Sequence, residues 1–411
     1  SVSSLGALMV STASRVGTGN IIGVSTAICL GGPGAVFWMW VCAFIGGASA
    51  FVESTLAQIF KRRNPDGSCY GGPAYYIETM LKSRTLGIIF CLALIFTYGI
   101  SYNMLASYNL QSSFECFSFY QKGTTCWGIG AIIALLFALC SMGGGKWIIR
   151  STTFLVPIMG VTYIIVTLIA MIVNFRYLPD MFALIFRSAF DFKSIFGGFM
   201  GSVIMLGMKR GLYSNEAGMG SAPNAAAAAM VSHPAKQGLV QMLSVFIDTI
   251  IICSATAFMC LCSSAEVTKE VAGAPYVQSA MQATFGGFGP AFMAFTMVLF
   301  AFTTLLGNFY YAENCLRFFT SKPLPKAFLI VFRLTGAVLI FVGAGIAMDL
   351  VWSLADIAQA ILTFINIPVC AIIGIWAYRA LDDYLEQRRA GQNPVFKAER
   401  IGLEGKTEFW K

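Results

Sequence analysis

Gly17-Thr18-Gly19-Asn20 is the first place in this chain where residue types and spacing could do chemistry. The four residues interrupt an apolar run that extends from Leu5 to Val10 and resumes from Ile21 to Leu30. Glycine weakens a helix, and in hydrocarbon the freed N–H and C=O groups have no water to bond. A break at that depth persists only where it is buried in protein or faces a wet cavity, so it marks a site for an ion or polar solute. A second anomaly runs from Gly207 through Lys209, Arg210, Gly211, Asn215, Glu216 and Gly218 to Gly220, with four glycines and four charged or amide residues inside one apolar stretch.

A broken helix offers amide donors at one half-helix and carbonyl acceptors at the other. The positive N-terminal end suits a carboxylate, and free carbonyls suit sodium or an ammonium group. An amino acid carries both charges on neighbouring atoms, so two breaks can recognise it without a fixed protein charge. Thr18, Gly19 and Asn20 suit that role, because glycine permits close approach and the flanking side chains add hydroxyl and amide groups. The competing reading is a helix-packing surface of small residues.

Other polar groups stand in apolar surroundings. Thr303-Thr304 presents two adjacent hydroxyls, hard oxygen ligands of the kind a small cation prefers, although threonine also bonds back to its own helix. Arg15, Glu53, Lys209, Arg210, Glu216, Asp248 and Glu313 fall in or near apolar spans, where ionisable groups serve either function or structural pairing. Pairing of Glu216 with Arg210 across the break is one such expectation. His233, the single histidine, precedes Pro234 in a loop and offers little basis for proton coupling.

The elements that hold these groups are membrane spans. Of 411 residues, 57% are hydrophobic and 11% charged, far below the roughly 25% charged residues of soluble chains. A net charge of +8 does not indicate nucleic acid here, because the basic residues sit in short loops and the tail, as orientation signals do. Segments of about 20 apolar residues can cross a bilayer. Ten are expected, near 5–30, 35–60, 86–113, 127–142, 151–174, 195–230, 238–262, 287–313, 327–347 and 351–378. Lys61-Arg62-Arg63, Lys146, Arg150, Lys236, Arg317, Lys322 and the tail to Lys411 fall on one side, with Arg176, Arg187 and Lys193 as exceptions. The bias places both termini in the cytoplasm.

No linker divides the chain, so one transport domain over 1–380 is expected, followed by a solvated, charged tail over 381–411. Pro73 to Lys82 reads as an interfacial helix, and Ala265 to Ala283 as an outer loop with short helices. Twelve cysteines without a CxxC pair argue against zinc, and Cys116 and Cys126 flank one loop where a disulfide could form. Ser1 opens almost directly into a span without a signal peptide's basic n-region, and the chain is expected to lack its native start. Ten spans split into five and five, which makes spans one and six counterparts. Interrupted segments at corresponding positions of two halves point to a transporter site, giving repeats over 1–175 and 193–380.

The motifs Val16-Gly17-Thr18-Gly19-Asn20-Ile21, Gly31-Gly32-Pro33-Gly34 through Trp40, and Ser214-Asn215-Glu216-Ala217-Gly218-Met219-Gly220-Ser221-Ala222-Pro223, with Phe246-Ile247-Asp248-Thr249, carry a family resemblance over nearly the whole chain. The chain resembles the alanine or glycine:cation symporters, a branch of the group sharing the leucine-transporter fold. The resemblance implies an all-α polytopic membrane protein built as a 5+5 inverted repeat, with discontinuous helices one and six. It implies sodium-coupled symport of a small neutral amino acid in a bacterial inner membrane, with sodium as the coupling ion. Substrate is expected near Thr18, Gly19 and Asn20, opposite Leu206 and Gly207, and sodium at Thr303 and Thr304 with backbone near Gly17. Two positions depart from the family pattern: Ala106 stands where glutamine is common and Asn308 where tryptophan is common. If both line the pocket, it is larger and differently polar, and glutamine or asparagine enters the substrate range.

A passive channel or an amino-acid receptor could use the same broken-helix pocket. An intramembrane enzyme is disfavoured, since neither HExxH nor GxSxG is present and one loop histidine supplies no catalytic set. Oligomeric state is not legible.

Overall fold

The computed structural model describes residues 2–191, 203–320 and 324–410. Ser1, Lys193, Lys322, Lys411 and the first residues of the sixth expected span, from 195, lie outside them. The described chain is helical apart from two paired two-residue strands, β1 (Arg62–Arg63) and β2 (Cys69–Tyr70). Among the described residues, eight helices are long and apolar enough to cross a membrane: Ala35–Ile59, Arg84–Ser112, Thr125–Met142, Lys146–Val173, Pro234–Leu261, Phe288–Leu316, Lys326–Ala344 and Met348–Ile373. They coincide with eight of the ten expected spans. The other two, first and sixth in order, are the interrupted ones.

The first is α1 (Ser4–Arg15), then a π-helical turn (Gly19–Gly23) leading into α2 (Val24–Gly31). Ser3 caps α1 by accepting from Gly6 N. Next come α3 (Ala35–Ile59), the strand pair and the short α4 (Pro73–Leu81), with proline in its first turn. The third span joins α5 (Arg84–Leu94) to α6 (Tyr102–Ser112) through a π-helical segment, and α7 (Thr125–Met142), α8 (Gly144–Val173) and α9 (Leu178–Ala189) follow. The sixth span divides into α10 (Val203–Asn215) and α11 (Ala222–Ala228). Then α12 (Pro234–Phe246) continues through another π-helical segment into α13 (Ser254–Leu261). The chain proceeds through α14 (Ala274–Phe285), α15 (Phe288–Leu316), α16 (Lys326–Ala344), α17 (Met348–Ile373) and α18 (Ile375–Arg389).

The lipid-facing surface is apolar, and the interior, largely apolar too, also holds buried polar groups. On α8, Phe154, Ile158, Val161, Ile165 and Ile172 are exposed, whereas Val156, Met159, Tyr163 and Ala170 are buried. Leaving such a side chain in water costs about 1.5–3 kcal/mol, so the exposed row is stable only against hydrocarbon. Buried hydroxyls and amides collect instead around the two breaks. The helices form two packed groups, α3 against α10 and α12, and α16 against α6 and α7, with α1 lying against α8 and α15.

Two expectations need correction. The tail is not simply solvated: Phe396, Ala398, Ile401, Leu403 and Trp410 are buried, because apolar residues recur between its charges and fold back onto the helix ends. Cys116 and Cys126 are both free thiols, the first exposed and the second buried.

Candidate functional site

The chain leaves helical geometry at Val16 (φ −75°, ψ 90°). Gly17 N then donates to Asn20 Oδ1 at 2.8 Å, so the break supplies its own acceptor. Gly17 must be glycine, since a Cβ there would collide with Thr304 Oγ1. Across from it, the second break spans the turn from Glu216 to Ser221. Glu216 (φ 56°), Gly218 (φ 87°) and Gly220 (φ 78°) are left-handed, a region open to glycine and strained for glutamate.

Glu53 of α3 holds that second break. Its carboxylate accepts from Gly218 N (3.3 Å) and Gly220 N (3.0 Å) and from Asn366 Nδ2 (2.7 Å) of α17. Asn366 Nδ2 also donates to Gly218 O at 2.9 Å. These bonds meet the need of buried backbone groups for partners.

The breaks touch through side chains at both edges. Ser14 Oγ lies 2.7 Å from Glu216 Oε1 and 2.7 Å from Asn308 Oδ1. One hydroxyl proton cannot serve two acceptors. The cluster balances when the Asn308 amide turns its nitrogen to Ser14, or when a cation supplies the missing positive charge. Asn308 Nδ2 donates to Asn103 Oδ1 (3.1 Å). On the other edge, Thr18 Oγ1 is 3.1 Å from Tyr213 Oη and accepts from Asn109 Nδ2 at 3.2 Å. Asn103 Nδ2 and Asn109 Oδ1 are buried with no partner among the described residues, one donor and one acceptor left over on α6.

The sequence-predicted residues divide accordingly. Thr18 and Gly19 face Tyr213, whose ring would lie 3.1 Å from a Cβ at Gly19. Asn20 is at the break but already committed: Nδ2 donates to Asp248 Oδ1 (2.7 Å) and to the Asp248 carbonyl (3.1 Å). Asn308 joins the Ser14–Glu216 edge. Leu206 and Gly207 pack elsewhere, Leu206 against Gly31, and Gly207 against the Ala35 carbonyl and Trp38. The residues of α10 opposite Thr18 and Gly19 are Tyr213 and Ser214, about two turns further along. Ala106 is buried in an apolar cluster with Leu110, Phe137, Leu305 and Phe309, while Asn109, on the same helix, reaches the break. Thr304 Oγ1 crosses to the Ala13 carbonyl (3.3 Å). Thr303 bonds back to Leu299 O and Phe300 O, both at 3.0 Å.

Buried charge is unbalanced here. Glu53, Glu216, Asp248 and Arg15 are all at most 1% exposed. Arg15 Nη1 bonds Gln241, and its Nε and Nη2 have no partner among the described residues. With the three carboxylates ionised, the region holds three negative charges against one guanidinium, and a desolvated carboxylate is costly without compensation. The expected Arg210–Glu216 pair does not form. Arg210 instead grips Asp356 of α17 with two nitrogens (3.1 and 3.2 Å) and stacks 3.9 Å over Trp352. Trp352 meets the Tyr213 ring at 5.0 Å, so the Arg210–Asp356 pair packs beside Tyr213 on the side from which α10 enters. On the opposite side, where α11 ends beside Val2, a cavity of about 620 Å³ opens among Ser3, Gly6, Cys69, Ile149, Tyr310 and Arg317.

Tyr213, Asn109, Asn103, Ser14 and Asn366 were not legible as site residues. An aromatic or amide within an apolar helix has many uses, and only the fold shows which of them meets the breaks.

Comparison with known proteins supplies the remaining context. The family model described as the sodium:alanine symporter family matches residues 1–398. The amino-acid carrier protein AlsT of Bacillus subtilis is 42% identical over 411 residues, covering 100% of this chain and 86% of that protein. The "Probable sodium/glutamine symporter GlnT" of the same organism is 40% identical over 410 residues, 100% of this chain and 84% of that protein. The sodium/alanine symporter AgcS of Methanococcus maripaludis is 35% identical over 369 residues, 89% of this chain and 80% of that protein.

Proposed function

The chain belongs to the sodium:alanine symporter family, and from that premise we propose a sodium-coupled symporter of neutral amino acids that works by alternating access at the paired helix breaks. It is an integral membrane protein and a transporter, not an enzyme. The observation that carries the site assignment is the meeting of the two interrupted spans, with Thr18 of the first break bonded to Tyr213 in the last turn of α10 before the second.

Substrate sits between the breaks in this reading. Its carboxylate and ammonium engage the backbone around Thr18, Gly19 and Asn20, and its side chain faces Asn103, Asn109 and Asn308. Three amides, two with an unpartnered group, suit a carboxamide and extend the alanine class toward glutamine. One relative carries glutamine in its name and another alanine. Sodium occupies the Gly17–Thr304 contact, with the Thr304 hydroxyl, the Ala13 carbonyl and backbone near Gly17 as oxygen ligands. Thr303, which bonds its own helix, supports the position. The negative charge around Arg15 favours a cation there.

Coupling arises because sodium and substrate stabilise the same conformation. Each inward sodium gains about 2.3 kcal/mol per 100 mV. The 5+5 inverted repeat of the leucine-transporter type is part of this proposal, supported by interruptions in spans one and six. The Arg210–Asp356 pair stands as the closure on one side and the cavity beside Val2 as the path on the other, which the positive-inside bias assigns to the cytoplasm of a bacterial inner membrane.

The test is uptake of labelled alanine, glycine, glutamine and asparagine into proteoliposomes with and without an inward sodium gradient. Sodium-dependent accumulation is expected, with glutamine competing. Equilibration without accumulation would replace symport by a channel, and saturable binding without uptake would leave a receptor.

A further inference from the structure

The end of α11 is a junction. Ala229 pairs with Val2 at the start of α1, and Met230 N donates to Val2 O at 2.9 Å. The Ala229 carbonyl accepts from Gln58 Nε2 (2.8 Å) and Lys61 Nζ (3.0 Å) at the end of α3. Ala228, Val2 and Cys69 form one wall of the 620 Å³ cavity. This half-helix follows directly from the second break, so movement of its end would widen the cavity toward the site.

The tail covers that junction. Its course is fixed at both ends by bonds to main-chain carbonyls: Phe396 N donates to Ser232 O (2.9 Å), and the indole Nε1 of Trp410 donates to Gln58 O (2.7 Å). Lys61, fully buried, lies 4.1 Å from the Phe409 ring centroid and 4.9 Å from that of Trp410. Two ring faces therefore stand where water would otherwise solvate the ammonium, a favourable cation–π arrangement. Burial pushes Lys61 down to about 8. Arg62 meets Glu408 at 3.4 Å, and Leu403 is fully buried between the two fixed points. The family model ends at residue 398, before the Phe409-Trp410 pair.

We propose that residues 394–410 form a strap that clamps the end of α11 to the end of α3 and restrains opening of the cavity beside Val2. The two rings close over Lys61, whose ammonium holds the Ala229 carbonyl. Loosening the rings admits water to Lys61, weakens that bond and frees the Ala228–Met230 wall. The proposal rests on the alternating-access reading only in taking this end to be one that opens.

Cys69 reports on that wall. It is 6% exposed, with Sγ 3.4 Å from Met230 Sδ. The experiment measures N-ethylmaleimide labelling of Cys69, peptide by peptide, in full-length reconstituted wild type and in Phe409→Ala/Trp410→Ala. Exposed Cys116, in the loop between α6 and α7, is the internal reference. Because reactivity tracks the open population when opening is rapid, Cys69 labelling should rise about fivefold while Cys116 labelling stays constant. An unchanged or slower Cys69 rate overturns the strap. Phe409→Leu keeps the bulk but removes one ring face, and it is read by the same criterion if the double variant does not fold. Labelling needs no substrate, so failure of the symport reading would appear in the uptake experiment and failure of the strap in this one.

Discussion

Ser14 Oγ and Glu216 Oε1 are 2.7 Å apart, which joins the last turn before the first helix break to the first residue of the second. Ser221 Oγ holds the other Glu216 oxygen at 3.0 Å, so the buried carboxylate ties both breaks together.

Neutralising that carboxylate should weaken cation binding more than it disturbs the fold. Glu216→Gln keeps the shape, turns one of the two acceptors into a donor that either serine hydroxyl can accept from, and removes one negative charge from the excess around Arg15. The expected result is an apparent sodium affinity lowered about tenfold, corresponding to roughly 1.4 kcal/mol, with normal expression and gel-filtration behaviour. Sodium titration of uptake decides it. An unchanged half-saturating sodium concentration would detach Glu216 from cation binding.

The two adjacent threonines should separate cleanly. Thr304 Oγ1 points across to Ala13 O, whereas Thr303 is satisfied within its own helix. Thr304→Ala is expected to raise the half-saturating sodium concentration about tenfold, and Thr303→Ala to change it less than about twofold, as for a lost bond internal to a helix. The reverse order would move the ion to the other hydroxyl.

The scaffold was more legible than the contacts. Hydropathy located the spans because bilayer thickness fixes helix length. The clusters at 17–20 and 207–220 located both interruptions because glycine and polar groups inside hydrocarbon need a special reason. The partners lay beyond reach: Glu53 meets Asn366 across 313 residues of chain, and Arg210 finds Asp356 rather than nearby Glu216. Periodicity indicates a helix face but not which neighbour it meets. Gly207 illustrates this, since the same small residue suits a substrate pocket and the tight packing against Trp38 found here. The tail misled for a related reason, its charges outnumbering the few apolar residues that dock it.

Substrate choice should respond to Asn308. The side chain lies between Ser14 and Asn103 and is fully buried. Asn308→Trp fills space and deletes an amide, which should bias transport toward glycine and alanine. Glutamine competition against labelled alanine is expected to fall about tenfold, the scale of a lost buried hydrogen bond of roughly 1.5 kcal/mol. An unchanged competition profile would remove Asn308 from the pocket.

His233 ties the fold's stability to pH. Its Nδ1 accepts from Ala235 N at 3.2 Å as the cap of α12. That bond leaves Nε2 to carry the proton toward Asp383 Oδ2 at 3.1 Å. Burial lowers its pKa below the ordinary 6.5, with Asp383 opposing the shift only in part. The unfolded chain therefore binds a proton near pH 6.5 that the folded chain refuses, and stability contributed above that pH is lost as pH falls through the depressed value. His233→Asn retains a capping side chain and removes the titration. In detergent, wild type should lose roughly 1–2 °C more in Tm than this variant between pH 7.5 and 5.5. Parallel pH profiles for the two proteins would show that His233 does not carry the dependence.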